Sequence, residues 1–401
     1  MTEPPRGEHT RAVTPPAPPS PTQTPMSGPV WRTAAWAFRS AGEYAAVLGG
    51  DAPGYSYSRL DNPTVDALAT AVAALEDAEA GQAFASGMAA ISTTLLALAG
   101  SGDHVVAPRE IYGGTYALLT GVLPRFGIST TFVDTRDPAS VAAAVQPGRT
   151  TVVWAETLAN PTMTVADLPA LAAVAHDAGA LLVVDSTFAS PVVCRPLAHG
   201  ADLVVHSATK YLAGHSDVTA GVTVGGASLL ERVRRLRHNL GGSLSPDDAW
   251  LVQRGLLTLP LRVERANAGA TALAAVLSAH PAVERVDHPS LPGSPDHALA
   301  QRLFAPGLYG AVVTVTPRGG RDAGLAFCDA LRLAEVATSL GGVRTKVSHV
   351  ATTTHRQLDE GALAAAGIGA AAVRVSVGIE DVADLVADCL QALEVAAGRA
   401  G

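Results

Sequence analysis

The sequence predicts an α/β fold in which a large domain carries a mostly parallel sheet and a smaller α+β domain follows at the C-terminal end. Three observations point there. Short apolar runs rich in β-branched residues alternate with longer helical patterns, the rhythm of βα units. The 401 residues are 48% hydrophobic and only 16% charged, which supplies a large core and excludes a disordered or fibrous chain. Beyond about Leu256 the rhythm becomes sparser, which marks the start of a second unit.

The elements follow in order. Residues 1–27 are crowded with proline and lack the apolar core of an export signal, so they read as a disordered tail. Residues 80–102 carry no charge and are long enough to suggest a membrane span, but Gln82, Ser86, Gly87, Ser92, Thr93 and Thr94 interrupt them. They read as a turn feeding a buried helix. Strands are expected over 105–107, 130–133, 152–155, 181–185 and 203–206, with crossover helices over 139–145 and 169–178, so that helices cover both faces of the sheet. Asp167 is placed to cap the second of these helices. A long alanine- and leucine-rich helix over 256–279 opens the second domain, with strands at 311–316 and 373–377. The large domain is thus assigned to 61–255 and the small one to 256–401.

Composition also excludes functions. A net charge of −8 gives no basic footprint for nucleic acid or an anionic membrane surface. Cys194, Cys328 and Cys389 are too few and too far apart for a disulfide framework or a zinc site, which suits a reducing cytoplasm. His176, His199, His215 and His238 lack metal-ligand spacing, so no metal is expected. Arg232, Arg234, Arg235 and Arg237, beside Glu231, read as the solvated face of a helix.

The chemistry concentrates at strand ends. In Val204-Val205-His206-Ser207-Ala208-Thr209-Lys210-Tyr211 an apolar strand runs into hydroxyl residues and a lone lysine, at the position where open α/β sheets bind ligands. A lysine there is a candidate Schiff-base nucleophile, although most lysines in loops are simply solvated. Leu182-Val183-Val184-Asp185 ends another apolar strand in a carboxylate. Such a buried anion requires a cationic partner, such as a protonated ring nitrogen, unless it only caps a helix. Phe84-Ala85-Ser86-Gly87-Met88-Ala89-Ala90 is a small turn opening a helix, whose N-terminal N–H groups suit a phosphate. Ser207 and Thr209 add hydroxyl groups from the other side.

Several further motifs stand in order: Tyr55-Ser56-Tyr57-Ser58-Arg59 with Asn62-Pro63-Thr64, Tyr112-Gly113-Gly114-Thr115, Glu156-Thr157 with Asn160-Pro161-Thr162, Asp185-Ser186-Thr187-Phe188, and Lys210-Tyr211 with Gly214-His215-Ser216-Asp217. With these the chain, from about Ala41 to Ala396, resembles the Cys/Met-metabolism (transsulfuration) family of pyridoxal phosphate enzymes. That family comprises cystathionine γ-synthases, cystathionine lyases, methionine γ-lyases and O-acylhomoserine sulfhydrylases.

The resemblance implies the aspartate-aminotransferase-like fold (fold type I) and pyridoxal 5'-phosphate as cofactor. It makes Lys210 the lysine of the internal aldimine, Asp185 the partner of the ring nitrogen and Tyr112 both the stacking ring and the acid or base at the leaving group. Ser86, Gly87, Met88, Ser207 and Thr209 hold the phosphate, and Asn160 borders cofactor and substrate. Residues 28–60 become an arm against a neighbouring subunit, with Tyr57 and Arg59 reaching that subunit's phosphate. A homo-oligomer, a dimer of dimers with shared sites, is therefore implied. Arg374, in Val373-Arg374-Val375-Ser376-Val377-Gly378, and Ser339, in Ser339-Leu340-Gly341-Gly342, match the elements for the substrate carboxylate.

The implied reaction is γ-elimination on a homoserine- or homocysteine-derived amino acid such as methionine, through a vinylglycine-type intermediate to a 2-oxo acid and ammonia. The alternative is γ-replacement by a cystathionine γ-synthase-like or O-acylhomoserine-dependent enzyme. Where cystathionine-handling relatives carry charges, this chain has Ser56, Ala117 and Thr338, which favours a shorter or less polar side chain. Gly114 stands where methionine γ-lyases carry a cysteine, which counts against methionine itself. Val343-Arg344-Thr345-Lys346-Val347-Ser348-His349 departs from the family's leucine- and proline-containing run, and Arg344 and His349 are candidates for unusual recognition. A non-catalytic binding protein on the same fold is disfavoured by the joint presence of Lys210, Asp185, Tyr112 and Arg374.

Overall fold

Apolar runs become central strands when both of their faces are covered, and the β4 segment Thr150–Glu156 shows the pattern in a computed structural model describing residues 23–353, 356, 361, 363 and 367–399. Its side chains alternate between two buried clusters: Val153 and Ala155 join one, Val152 and Trp154 the other. Helices cover both faces of the sheet, as expected.

In chain order, α1 (Ala41–Gly49) and α2 (Pro63–Leu75) precede β1 (Ala80–Phe84), and α3 (Gly87–Leu98), β2 (His104–Pro108), α4 (Gly113–Ala117), β3 (Ser129–Val133) and α5 (Pro138–Ala144) lead to β4. Then come α6 (Leu168–Asp177), β5 (Leu181–Asp185), α7 (Ser190–Val193), β6 (Leu203–His206), β7 (Gly221–Gly225), α8 (Ala227–Leu240) and α9 (Pro246–Leu256). The seven-stranded sheet has the order β1-β7-β6-β5-β4-β2-β3, and only the pairings of β7 with β1 and β6 are antiparallel. Caps fix several helix starts: Asn62, with Pro63 next to it, accepts from Thr64 N–H, and Asp167 accepts from Ala170 N–H.

After α9 come α10 (Leu259–Ser278), β8 (Val283–Asp287), α11 (His297–Leu303), β9 (Val312–Pro317), α12 (Gly320–Ala330), β10 (Glu335–Val336), β11 (Lys346–His349), β12 (Val373–Ser376) and α13 (Val382–Arg399). Their five strands form a second sheet, ordered β10-β11-β12-β9-β8. Among the described residues, no helix is long and apolar enough to cross a membrane. The expected tail over 1–22 lies outside the described residues, and 23–27 are exposed without helix or strand.

Three local expectations need correction. Residues 80–84 form a strand, β1, and not a turn. Ala80, Gly81 and Ala83 carry little β signal, and Gly81 must be bare because α2 packs close, a Cβ there lying 2.4 Å from the Ala69 carbonyl oxygen. The long helix over 256–279 is instead α10, separated from α9 by a break at Leu257–Thr258, since Pro260 lacks the N–H that a continuous helix needs. Arg237 is buried and not solvated: it bonds the Leu60 carbonyl and Asp61, while Arg232, Arg234 and Arg235 stay exposed.

Candidate active site

Parallel strands β4, β5 and β6 end side by side, and their last residues set the floor of a crevice. Glu156 and Asp185 are register partners on neighbouring strands, so both carboxyl groups face the same way. Both are buried. Asp185 Oδ1 accepts from Thr187 N–H at 3.0 Å, and Glu156 Oε1 accepts from Tyr112 N–H at 2.7 Å. Burial raises both above the ordinary carboxylate range, and the neighbouring Asp185 helps to push Glu156 up to about 8. Behind Glu156 lies a cavity of about 60 Å³ that Arg109, Glu110 and Arg136 also line.

On one side of this floor α3 presents its N-terminus. Ser86 spends its hydroxyl on the Ala89 N–H, which leaves the first N–H groups of α3, at Gly87 and Met88, without helical acceptors. Glycine is required here, because a Cβ at Gly87 would lie 2.7 Å from Ser207 Cβ. The start of α3 therefore abuts Ser207 and makes a narrow cup. Thr187 Oγ1 accepts the Ser207 N–H at 2.8 Å and orients that loop. Thr209 exchanges hydrogen bonds with the main chain of Ala220, so its hydroxyl proton is already directed to a carbonyl.

Tyr112 lies half exposed at the start of α4, its ring over Gly114 and Met88: a Cβ on Gly114 would be 2.5 Å from Tyr112 Cε1 and 2.9 Å from Met88 Sδ. Across the crevice Lys210 donates from Nζ to Ser339 Oγ at 2.9 Å. Burial first, then Arg374 and Lys346, push its amine down to about 8, with Asp185 opposing.

Arg374 comes from β12 and is buried, as is Asn160. Its Nη1 donates to Asn160 Oδ1 at 3.2 Å and its Nη2 to the Ser339 carbonyl at 3.1 Å, while Nε has no partner. Those acceptors are neutral, and burial lowers the guanidinium to about 10. An under-satisfied buried fork of this kind suits a carboxylate.

The structure thus brings together Lys210, Asp185, Asn160, Ser339 and Arg374 around the crevice, with Ser86, Gly87, Met88 and Ser207 at the cup and Tyr112 across it. Ser56, Tyr57 and Arg59 stand apart. The arm pairs Ala35 with Tyr57, Ser56 accepts from Trp36 N–H, and Arg59 lies over the Tyr57 ring and donates to the His238 carbonyl. Thr338 is exposed beside Ser339. Arg344 forms a solvent-exposed pair with Glu335, whereas buried His349 shares both ring nitrogens with Thr352 Oγ1 and the Ala370 carbonyl and is not free for recognition.

This donor set fits pyridoxal phosphate: the cup with open N–H groups for a phosphate, an amine of lowered proton affinity for its aldehyde, and a buried carboxyl for its ring nitrogen. The model of the Cys/Met metabolism PLP-dependent enzymes matches residues 9–394. The chain belongs to this family.

Its relatives agree with the geometry. An L-methionine gamma-lyase of Pseudomonas deceptionensis is 43% identical, with 92% of each chain covered. An O-succinylhomoserine sulfhydrylase of Pseudomonas aeruginosa is 42% identical, covering 91% of this chain and 90% of its own. The solved cystathionine gamma synthase of Xanthomonas oryzae pv. oryzae, in complex with aminoacrylate and cysteine, superposes with a TM-score of 0.87 at 37% identity, covering 93% of this chain and 94% of that one. The fold is that of these enzymes, and the chain is a pyridoxal phosphate-dependent enzyme of γ-elimination or γ-replacement acting on an amino acid.

Glu156 is the residue that sequence reasoning passed over. It stood in a quoted motif without a role, and its signal was available: it ends the strand next to the one that Asp185 ends.

Proposed function

We propose that this enzyme catalyses γ-elimination on a homoserine- or homocysteine-derived amino acid with a short, weakly polar side chain, methionine or a related sulfur amino acid, releasing a 2-oxo acid and ammonia. The observation that carries the reading is the convergence of Lys210 and Arg374 on Ser339, opposite the Asp185 and Glu156 carboxyl groups.

Lys210 would hold the cofactor, Asp185 its ring nitrogen, and the Ser86-Gly87-Met88 cup with Ser207 its phosphate, to which Thr209 would add its hydroxyl by releasing the Ala220 carbonyl. Asn160 would border its ring. Pyridoxal phosphate, when bound, supplies the electron sink for charge developing at the substrate α-carbon. Arg374 and Ser339 would fix the α-carboxylate, which leaves the α-hydrogen facing Lys210. Once the substrate amino group has displaced it from the cofactor, the freed Lys210 amine, its proton affinity lowered to about 8, would take that proton. Tyr112 stands across the crevice and serves the group departing from the γ-carbon as its acid. Ala117 and Thr338, with Ser56 brought by the arm of a neighbouring subunit, would offer no charge to a second zwitterion, which supports a side chain shorter than that of cystathionine.

Tyr57 is half exposed and Arg59 exposed on an arm whose helix α1 buries none of its residues, which supports a shared site in a dimer of dimers. Free, buried Cys194, Cys328 and Cys389 support a cytoplasmic enzyme.

The second reading, γ-replacement on an O-acylhomoserine, is favoured by the 42% identical sulfhydrylase. Incubating holoenzyme with methionine, homocysteine, cystathionine and O-acylhomoserines, with and without a thiol, separates the two. The proposal expects 2-oxo acid without any acceptor. Turnover that requires the thiol and yields a new amino acid overturns it in favour of replacement.

A further inference from the structure

Lys346 lies outside the catalytic set, yet it is only 9% exposed. On β11 it stands directly opposite Ser376, as Ser348 stands opposite Arg374, so the four side chains share one face of the small sheet. That face meets the loop that follows Lys210. Lys346 Nζ donates to Ser216 Oγ at 2.7 Å, and Ser216 sits in the left-handed region at φ 62°. The Ser339–Gly342 turn is wedged between them. A Cβ on Gly341 would lie 2.7 Å from Tyr211 N, and one on Gly342 would lie 3.0 Å from Ser216 Oγ and 3.5 Å from Lys346 Nζ. Ser376 Oγ accepts the Gly341 N–H, and Val343 donates to the Gly214 carbonyl, which locks the turn against the lysine loop.

Among the described residues no carboxylate pairs with Lys346, although a buried ammonium without a counter-ion is costly. The nearby Glu380 accepts from Thr345 instead. A solvating hydroxyl alone is a poor reason to bury a lysine, so its charge must act on something else.

We propose that Lys346 is a positioning residue for Lys210: clamped by Ser216 beneath the lysine loop, it supplies a fixed positive charge that keeps the Lys210 amine reactive and ties the small sheet to that loop. This rests on the reading of Lys210 as the cofactor-bearing lysine. Charged or titratable groups facing Lys210 come from three strands, Asp185 from β5, Arg374 from β12 and Lys346 from β11, with Glu156 beside Asp185, Tyr112 across the crevice and Tyr211 next in the chain. Of the two cations, only Lys346 has no reason to contact substrate. Its effect on Lys210 has the required sign, since it disfavours a second positive charge.

The test follows the cofactor absorbance of reconstituted holoenzyme through a pH titration in the wild type, Lys346→Met, Lys346→Arg and Lys210→Ala. Lys346→Met keeps the length and removes the charge. Its midpoint should rise by about half to one pH unit, the order of size of one nearby charge screened by a medium of intermediate dielectric. Lys346→Arg should keep the wild-type midpoint, and Lys346→Met should melt within a few degrees of the wild-type temperature, because losing an unpaired buried charge offsets losing the bond to Ser216. An unmoved midpoint, an equal shift in Lys346→Arg, or failure of Lys346→Met to fold overturns the proposal. Retention of the shifted cofactor band by Lys210→Ala would instead overturn the reading of Lys210.

Discussion

Replacing Arg374 by Met should remove activity without removing stability. In the free enzyme the guanidinium is 4% exposed and makes two hydrogen bonds, at 3.2 and 3.1 Å, both to neutral oxygens, with Nε unpartnered. The substrate carboxylate would complete it. Breaking a buried, hydrogen-bonded charge pair costs about 2–5 kcal/mol. At about 1.4 kcal/mol per factor of ten, that is a loss of roughly 30-fold to several thousand-fold in kcat/KM, expressed mainly in KM. Stability moves differently. Removing an unpaired buried charge gains about 1–4 kcal/mol when a side chain of similar volume fills the space. Leaving Asn160 Oδ1 and the Ser339 carbonyl without donors costs about 1–3 kcal/mol each. The terms nearly cancel, so the melting temperature of the apoprotein should stay within a few degrees of wild type. Arg374→Lys retains charge but loses the planar fork, and should fall between the two in kcat/KM. Steady-state kinetics with the best sulfur amino acid, beside calorimetric melting, decides it. A large drop in melting temperature would show Arg374 to be a structural cation, and kcat/KM within threefold of wild type would remove it from substrate binding.

Gly114→Cys should lower kcat/KM by about tenfold or more at little cost in stability. The new Cβ displaces the half-exposed Tyr112 ring, a shift that reaches the side chain proposed as the leaving-group acid and not the core; kinetics on the same substrate panel would refute this by showing unchanged turnover. Gly221→Ala places a Cβ 2.3 Å from the Ser86 carbonyl oxygen, forcing the cup to move. Weaker binding of pyridoxal phosphate is expected, measured by fluorescence titration of the apoprotein, together with destabilisation of about 1–3 kcal/mol. Glu156, held up to about 8, keeps its proton longer in the folded than in the unfolded chain. Its contribution to apoprotein stability is therefore full below the unfolded carboxylate range near 4.5 and is lost as pH rises through about 8. Glu156→Gln should flatten that decline in denaturant melts between pH 5 and 8; an identical slope in the variant would show that Glu156 does not cause it.

Much of the site was legible because it lies where a parallel sheet must place it. Asp185 ends one apolar strand and Lys210 stands in the turn just beyond the end of the next, and a run of Val and Leu closed by polar residues is visible in sequence alone. β1 and β7 were hidden for the opposite reason. In β1, Ala80, Gly81 and Ala83 are small, and in β7 Gly221 and Gly225 leave only three β-branched residues between them; α2 presses on Gly81 and the Ser86 turn on Gly221, so burial there lowers the strand signal it normally raises. Arg237 and Lys346 illustrate a second limit. Periodicity marks Arg237 as one of four arginines on a polar helix, and only the fold brings Leu60 and Asp61 over it. Lys346 lies in the stretch that departs from the family, where nothing in the spacing sets it apart from Arg344 and His349; only the fold puts it opposite Ser376 and against Ser216.

The arrangement of charge gives the site its selectivity for a ligand with two ends. The large sheet contributes a negative floor, Asp185 and Glu156, and the small sheet contributes a positive wall, Arg374 and Lys346, with Lys210 between them. Without a ligand burial drives both sides toward neutrality: the carboxyls rise, and Lys210 and Arg374 fall, with like charges adding to the shift at Glu156 and Lys210. A bound molecule relieves both strains only if it carries positive charge toward the floor and negative charge toward the wall. Pyridoxal phosphate joined to an amino acid has that polarity, a ring nitrogen at one end and a carboxylate at the other. A neutral or singly charged competitor satisfies one side and leaves the other buried and uncompensated. Discrimination therefore comes from the unpaired state of the site as much as from contacts to substrate. The cofactor alone should raise the melting temperature, and a carboxylate-bearing amino acid should raise it again. An amine of the same side chain lacking the carboxylate should give no second increment, because Arg374 would remain unpaired.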